Sequence, residues 1–421
     1  MRSLGIPVLK VRRFLRRIGV RVAGFAVLAV MVALLAPLIQ SMVGEDLSSR
    51  VDQGAVMPVL TILASSMLAV STFSINVMVS AYRAAADAAT PRVHRLLLED
   101  TTTQTVLSTF MGAFIYALFS ILLVQAGLMP EDSALPILVV TAFVVLLVIM
   151  AMLSWIDHLS VLGSVDHSLE TASARAEEAL RLFAEDPTLG ATPLTDDIVM
   201  PPDLHPVTAT CGGYIELIDV AALEHCLPEH ALLYVEHTPG ELVLTGTVLA
   251  RMSTAPDADT LDALRSAFVI GEHRSYEQDP IFGLMVLAEI ASKALSPGVN
   301  DPGTAINAMD RATSLLWDHA RMRVDAPEPH HPTVFVPVLP ARGMIEATFS
   351  GAVREGAAMP EVVGHLLKSL EHLSTTSIFS DAALDMARRA LAHAEKAMAV
   401  PADYERLAQR FGDLREVPSS G

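Results

Sequence analysis

Two groups of polar residues carry types and spacings that could do chemistry. The first is Arg274, Gln278 and Asp279, within the dense polar run that starts at Glu272. The second is Ser296, Asn300, Asp301 and Thr304. A guanidinium beside carboxylates and amides is a set that can bind and polarise a small anionic ligand, or hold an ion. Asp301-Pro302 also starts a helix, whose first N–H groups are free and carry partial positive charge. Between the groups runs an apolar helical pattern of roughly 14 residues, about 20 Å long. The groups share one site only if the chain folds back. The alternative is structural: caps and turns that lock two helices, with a buried pair between Arg274 and an aspartate. No nucleophile–base pair is visible, although His273 lies near. No catalytic residue is assigned.

Metal and nucleotide chemistry find less support. Asp157-His158 and Asp166-His167 are nine residues apart. On one straight helix that is about 900°, which puts the two pairs on opposite sides. His225 and His230 do not share a helical face, and Glu328 to His331 reads as a solvated loop. There is no P-loop, GxGxxG, HExxH, GxSxG or EF-hand pattern. No metal ligand and no cofactor is assigned.

The elements that must position these residues divide at the composition boundary. The 421 residues are 52% hydrophobic, and most of the excess lies before residue 157. Residues 1–157 carry 11 Lys+Arg against 9 Asp+Glu, while residues 158–421 carry 18 against 38. So acidic a C-terminal half repels nucleic acid and anionic head groups. It is expected to stand in water, without a nucleic-acid partner. Cys211 and Cys226 form no CxxC and suit a reducing compartment.

The first half reads as a basic cytosolic N-terminus (1–21) and a four-helix transmembrane domain (22–156), with the lipid bilayer as partner. Spans are expected at about 22–43, 55–81, 105–128 and 134–156, each near the 20 residues that cross a bilayer. Arg83, Arg92 and Arg95 follow the second span, whereas the loops after the first and third are acidic. The positive-inside rule then places both termini in the cytosol of a bacterial inner membrane. Ser65, Thr72, Asn76 and Ser80 share a face of the second span, and Thr105, Thr109, Gly112, Tyr116 and Ser120 a face of the third. These faces suit close helix packing, or the lining of a pore or substrate path. No Asp, Glu, Lys, Arg or His lies within the core of a span, which sets aside a proton pump or voltage sensor.

Past Trp155 the helical pattern predicts an unbroken stalk helix over 157–186, and 187–204 reads as a proline-rich linker. An acidic cytosolic α+β domain follows over 205–421. Its first part alternates like strands at Gly213–Asp219, Ala231–His237, Leu242–Ala250 and Ala267–Ile270, forming a small β-barrel or sheet. Thr238-Pro239-Gly240-Glu241 is expected to join the second and third as a turn, with glycine at the positive φ of a type II turn. Its second part reads as helices from Asp279 to Leu295, Asp301 to Arg323, Met359 to Leu373, Asp381 to Ala399 and Ala402 to Phe411. A short strand is expected at Thr333–Val338, and loose residues at the end.

Two motifs also carry a resemblance: Arg274-Ser275-Tyr276-Glu277-Gln278-Asp279 and the stretch from Ala294 to Ala305, ALSPGVNDPGTA. They resemble RSxxQD and ALSPxxNDPxTA of an uncharacterised bacterial family of predicted inner-membrane proteins, a domain of unknown function. Thr72 to Ile75, Pro91-Arg92 and Pro239-Gly240 also resemble it, though Thr90 stands where the family favours Ser. The resemblance implies four membrane helices with a cytosolic domain, and no established activity. The expected function is a ligand- or ion-responsive channel or transport-like assembly regulated by its cytosolic domain, working as a homo-oligomer. A membrane-anchored enzyme acting on a small anion and a structural or scaffolding membrane protein are the alternatives.

Overall fold

The structure, a computed structural model, describes residues 18–42, 53–88, 90–98, 100–128, 134–195, 197–322 and 328–412. Most of the basic N-terminus, the two acidic loops and the C-terminal residues expected to be loose lie outside these. The chain divides into two units.

The membrane-helix unit contains α1 (Ile18–Met42), α2 (Gln53–Ala88), most of α3 (Pro91–Leu98), α4 (Thr101–Gln125) and α5 (Ala134–Leu159). Among the described residues three stretches are long and apolar enough to cross a membrane: Val56–Ala85, Thr101–Gln125 and Ala134–Leu159. In α1 the described apolar stretch is the shorter Val22–Met31. Four complete spans are therefore not all present by this measure. α4 is central, and its Val106, Phe110, Ala113, Tyr116 and Ala117 pack with Ala29, Leu60, Leu63, Ile137 and Val144 of its neighbours. Tyr116 Oη and Thr141 Oγ1, both buried, lie 3.1 Å apart and satisfy each other.

The predicted unbroken stalk is interrupted. α5 stops at Leu159, a turn follows, and α6 (Val165–Glu185) starts afresh. Gly163 takes a φ of +87°, which a helix cannot continue through. Ser164 Oγ then accepts from His167 N, opening the new helix as a cap.

The second unit takes in residues from Ser168 onward and the short segment Ala89–Val93. Its strands form two sheets. One has five strands in the order β1 (Ala191–Leu194), β8 (His331–Pro337), β4 (Leu233–Val235), β6 (Val248–Met252) and β2 (His205–Thr208). β8 runs parallel to both neighbours, and β6 antiparallel to both of its own. The other sheet is β5 (Leu242–Val243), β3 (Gly213–Ile218) and β7 (Phe268–Gly271), all antiparallel. One core of Val207, Ile215, Leu223, Leu233, Leu249, Met252, Leu264 and Val334 joins them. It also takes in α7 (Val220–His225) and α8 (Ala258–Ser266), two short helices absent from the sequence reading.

Two strand expectations are corrected. β4 and β5 do not form a hairpin; the Pro239-Gly240 turn carries the chain from one sheet to the other. The long third strand is cut in two at Gly246, whose φ is +90°, so β5 and β6 serve different sheets. The linker also holds a strand, because β1 finds its partner at β8, far along the chain.

The helices are α9 (Pro280–Ala294), α10 (Pro302–Arg321), α11 (Ala341–Glu355), α12 (Pro360–Ser374), α13 (Ser380–Ala397) and α14 (Pro401–Arg410). α11 was not anticipated, yet its Met344, Ile345, Phe349 and Val353 are all buried. His319 of α10 is buried between the rings of Phe183 and Phe379, at 5.7 and 6.2 Å. Burial pushes its imidazole below the ordinary histidine pKa, against a backbone hydrogen bond at Leu180. The unfolded chain therefore binds the proton better, and stability should fall as the pH drops below about 6.5. Unfolding midpoints of wild type and His319→Leu across that range check this: the variant should lose part of the pH dependence. Parallel pH profiles would reject it.

Candidate functional site

Arg274 and Asp279 form the centre of the first polar group. Asp279 is 2% exposed and accepts from Arg274 Nε at 2.7 Å and Nη2 at 2.8 Å. Both guanidinium edge nitrogens thus meet both carboxylate oxygens, the strong two-pronged geometry. The same carboxylate caps α9, accepting from Ile281 N and Phe282 N at 3.1 Å each. Burial pushes the Asp279 carboxyl up from its ordinary value, opposed by Arg274 and by those two N–H groups. Arg274 also lies over the Phe282 ring, 5.6 Å from its centre.

The rest of this motif holds β3. Gln278 accepts from Ile218 N at 2.8 Å and donates to Ile218 O at 3.2 Å. Ser275 Oγ donates to Glu216 O at 3.1 Å. The turn closes on the same spot. Gly240 has a φ of +91°, and its N donates to Ile215 O. A Cβ built there would fall 2.1 Å from Asp279 Oδ2 and 2.9 Å from Arg274 Nη2. The turn motif and the Arg-Asp motif are therefore one joint, binding the three-stranded sheet to the start of α9. A shallow cleft beside it is lined by Pro187, Pro239, Gln278, Pro280 and Pro337.

The second polar group lies at the other end of α9, some 22 Å away for a helix of 15 residues. The structure does not bring the two groups together. Ser296 Oγ donates to Lys293 O at 2.6 Å, within the last turn. Asn300 takes the left-handed conformation, φ +51°, which asparagine tolerates. Asp301 N donates to Ala294 O at 2.8 Å, closing the turn. Asp301 caps α10, accepting from Thr304 N at 3.0 Å and Thr304 Oγ1 at 2.6 Å. These bonds hold its carboxyl below the ordinary carboxylate range, the Thr304 hydroxyl first. Asp301→Ala should cost about 0.5–2 kcal/mol, the loss of an exposed cap. Chemical denaturation checks this, and an unchanged midpoint would reject the capping role.

The expected faces of the membrane helices separate as well. Gly112, Tyr116 and Ser120 of α4 are buried, with Gly112 against the Phe25 ring, whereas Thr109 is half-buried and Thr105 exposed. Ser65, Thr72, Asn76 and Ser80 of α2 are all exposed, on the side away from the packed Leu60, Leu63 and Met67. The two faces do not line a common path within one chain.

A cluster that sequence reasoning set aside stands at the ends of these helices. Asp100 caps α4, accepting from Thr102 N at 3.1 Å, Thr103 N at 2.9 Å and Thr103 Oγ1 at 2.5 Å. His158, in the last turn of α5, puts Nε2 2.9 Å from Asp100 Oδ2 and 3.0 Å from Thr103 Oγ1. Burial alone would raise the Asp100 carboxyl; bonds from His158, Thr103 and the backbone overcome it and hold it well below the carboxylate range. His167 meets His158 edge to face at 5.6 Å. The straight-helix argument that separated these histidines fails because the helix breaks between them. The signal was present in Gly163-Ser164, a stop followed by a cap. Among the described residues no three ligands gather around a metal position.

Comparison with known proteins agrees with the membrane architecture. Residues 16–372 match the family described as predicted membrane protein (DUF2254). The chain is 27% identical over 270 residues to the uncharacterized protein Mb1321c of Mycobacterium bovis and to the uncharacterized protein Rv1290c of Mycobacterium tuberculosis. Each match covers 61% of this chain and 51% of the relative, so the chain spans about half the length of these curated relatives. No solved structure matches the chain.

Proposed function

The chain belongs to the DUF2254 family of predicted membrane proteins, and from that premise we propose a channel- or transport-like assembly of the bacterial inner membrane, controlled from its cytosolic side. In this reading α1 is the fourth crossing. Its 25 residues give about 37 Å of helix, enough for a bilayer core of about 30 Å. Both termini face the cytosol, as the arginines after the second span direct.

The observation that carries the reading is the Asp100–His158 pair. It ties the beginning of one membrane helix to the end of another, with Thr103 between them. A clasp of this kind holds the cytosolic ends of two spans together, and a ligand or ion that competes for it would let them part. The acidic C-terminal domain is then the regulatory body. Its hallmark residues build the joint around Arg274 and Asp279.

Reconstituted full-length protein tests the reading. Potassium and chloride flux into liposomes would be recorded for wild type, Asp100→Asn and His158→Ala, with and without cytosolic metabolites. Opening the clasp is expected to raise flux several-fold over wild type. Liposomes that stay tight for all three proteins in every condition would sink the proposal.

A further inference from the structure

We propose that the outward face of α2, centred on Asn76, is the surface through which two copies of this chain associate inside the bilayer. The proposal rests on α2 crossing the membrane, and is independent of whether the assembly conducts.

Helical geometry separates the two sides of α2. Taking Leu60 as zero at 100° per residue, the buried Leu63, Met67, Ser71, Ser74 and Tyr82 fall within about 60° of it. Ser65, Thr72, Asn76 and Ser80 fall between about 120° and 200°, the opposite side, and all are exposed. The span is Val56–Ala85. Asn76 stands about 8 Å from its midpoint, well inside a hydrocarbon core about 30 Å thick.

Two of the three hydroxyls on this face, those of Ser65 and Thr72, are already satisfied. Ser65 Oγ donates to Thr61 O and Thr72 Oγ1 to Leu68 O, each at 2.9 Å. Asn76 differs. Its side-chain amide makes no hydrogen bond among the described residues. In hydrocarbon an amide without a partner costs several kcal/mol.

A second copy supplies the missing partner, because a carboxamide is self-complementary. It has an N–H to give and an oxygen to receive. Two Asn76 side chains related by a two-fold axis exchange both bonds, which is an isologous contact. Ser65, Ala69, Thr72 and Ser80 are small, so two backbones can approach closely enough for the exchange. The exposed face of α5 is of another kind. Val139, Phe143, Leu146, Ile149 and Leu153 are apolar throughout and suit lipid chains.

The test is disulfide trapping of full-length protein in purified proteoliposomes, with Cys211 and Cys226 replaced by alanine. Asn76→Cys and Thr72→Cys are expected to give cross-linked dimers on mild oxidation, and Val139→Cys none. In dilution-dependent energy transfer between labelled copies, Asn76→Leu should weaken association by tenfold or more, and Asn76→Gln should retain it. A monomer in dilute liposomes, or equal association of wild type and Asn76→Leu, would overturn the proposal. So would labelling of Asn76→Cys by a water-borne, membrane-impermeant maleimide, which would place the residue in water.

Discussion

Alanine at position 240 should unfold the C-terminal unit. The backbone there has a φ of +91°, which costs alanine roughly 1–2 kcal/mol. The added methyl would fall 2.1 Å from Asp279 Oδ2 and 2.6 Å from Asp279 Cγ. A flexible carboxylate could swing aside; this one is held by four hydrogen bonds, two from Arg274 and two from the start of α9. Relief therefore means parting a buried ion pair, which costs about 3–5 kcal/mol when one partner is lost. The sum approaches the whole stability of a domain, about 5–15 kcal/mol. Thermal unfolding and limited proteolysis of the full-length protein in detergent would show it. A midpoint equal to that of wild type would mean that the joint can give way.

Asp279→Ala should cost about 3–5 kcal/mol, because Arg274, with its side chain only 20% exposed, is left without its counter-ion. Asp301→Ala should cost severalfold less. In sequence the two positions look alike, since each is an Asp-Pro that opens a helix after a turn. They differ in surroundings: Asp279 is 2% exposed and paired, whereas Asp301 is exposed and its carboxylate bonds to Thr304 of its own helix. If the cost at Asp279 comes from the stranded guanidinium, Arg274→Met with Asp279→Leu should recover much of it, since apolar replacement of a buried pair is often neutral. Equal unfolding midpoints for Asp279→Ala and the double variant would reject that cause. Equal losses at Asp279 and Asp301 would show that capping alone is at stake.

These positions show where reading the chain worked. Hydropathy placed three of the four expected spans, because about 20 apolar residues in a row are needed wherever a helix crosses lipid. The Asp-Pro start at 301 is a helix cap as read, since a cap bonds only to N–H groups two or three residues on, and Asp279 caps the helix expected from that position. The Pro239-Gly240 turn was legible for the same reason. Its glycine has the positive φ that the turn type demands. The buried pairing of Arg274 with an aspartate was also foreseen as the structural alternative.

What went unread involves partners distant in the chain. β1 lay hidden in a proline-rich stretch because its pairing partner, β8, starts at His331. β5 and β6 read as one strand because their alternation is continuous; only the division into two sheets separates them. Asp100 and His158 were never considered together, being on different helices and joined only by packing of the bundle.

By itself, then, the sequence determined three of the apolar membrane helices, the acidity of the second unit, the Asp301 cap and the turn. Each depends on groups within a few residues of one another, or on a run's average polarity. The tertiary structure alone decided that Gly240 closes on Asp279, that the two polar motifs lie at opposite ends of α9, and that Asn76 faces away from its own bundle. Those outcomes depend on which surfaces pack together. Many distant contacts jointly set that packing, and no local pattern encodes it.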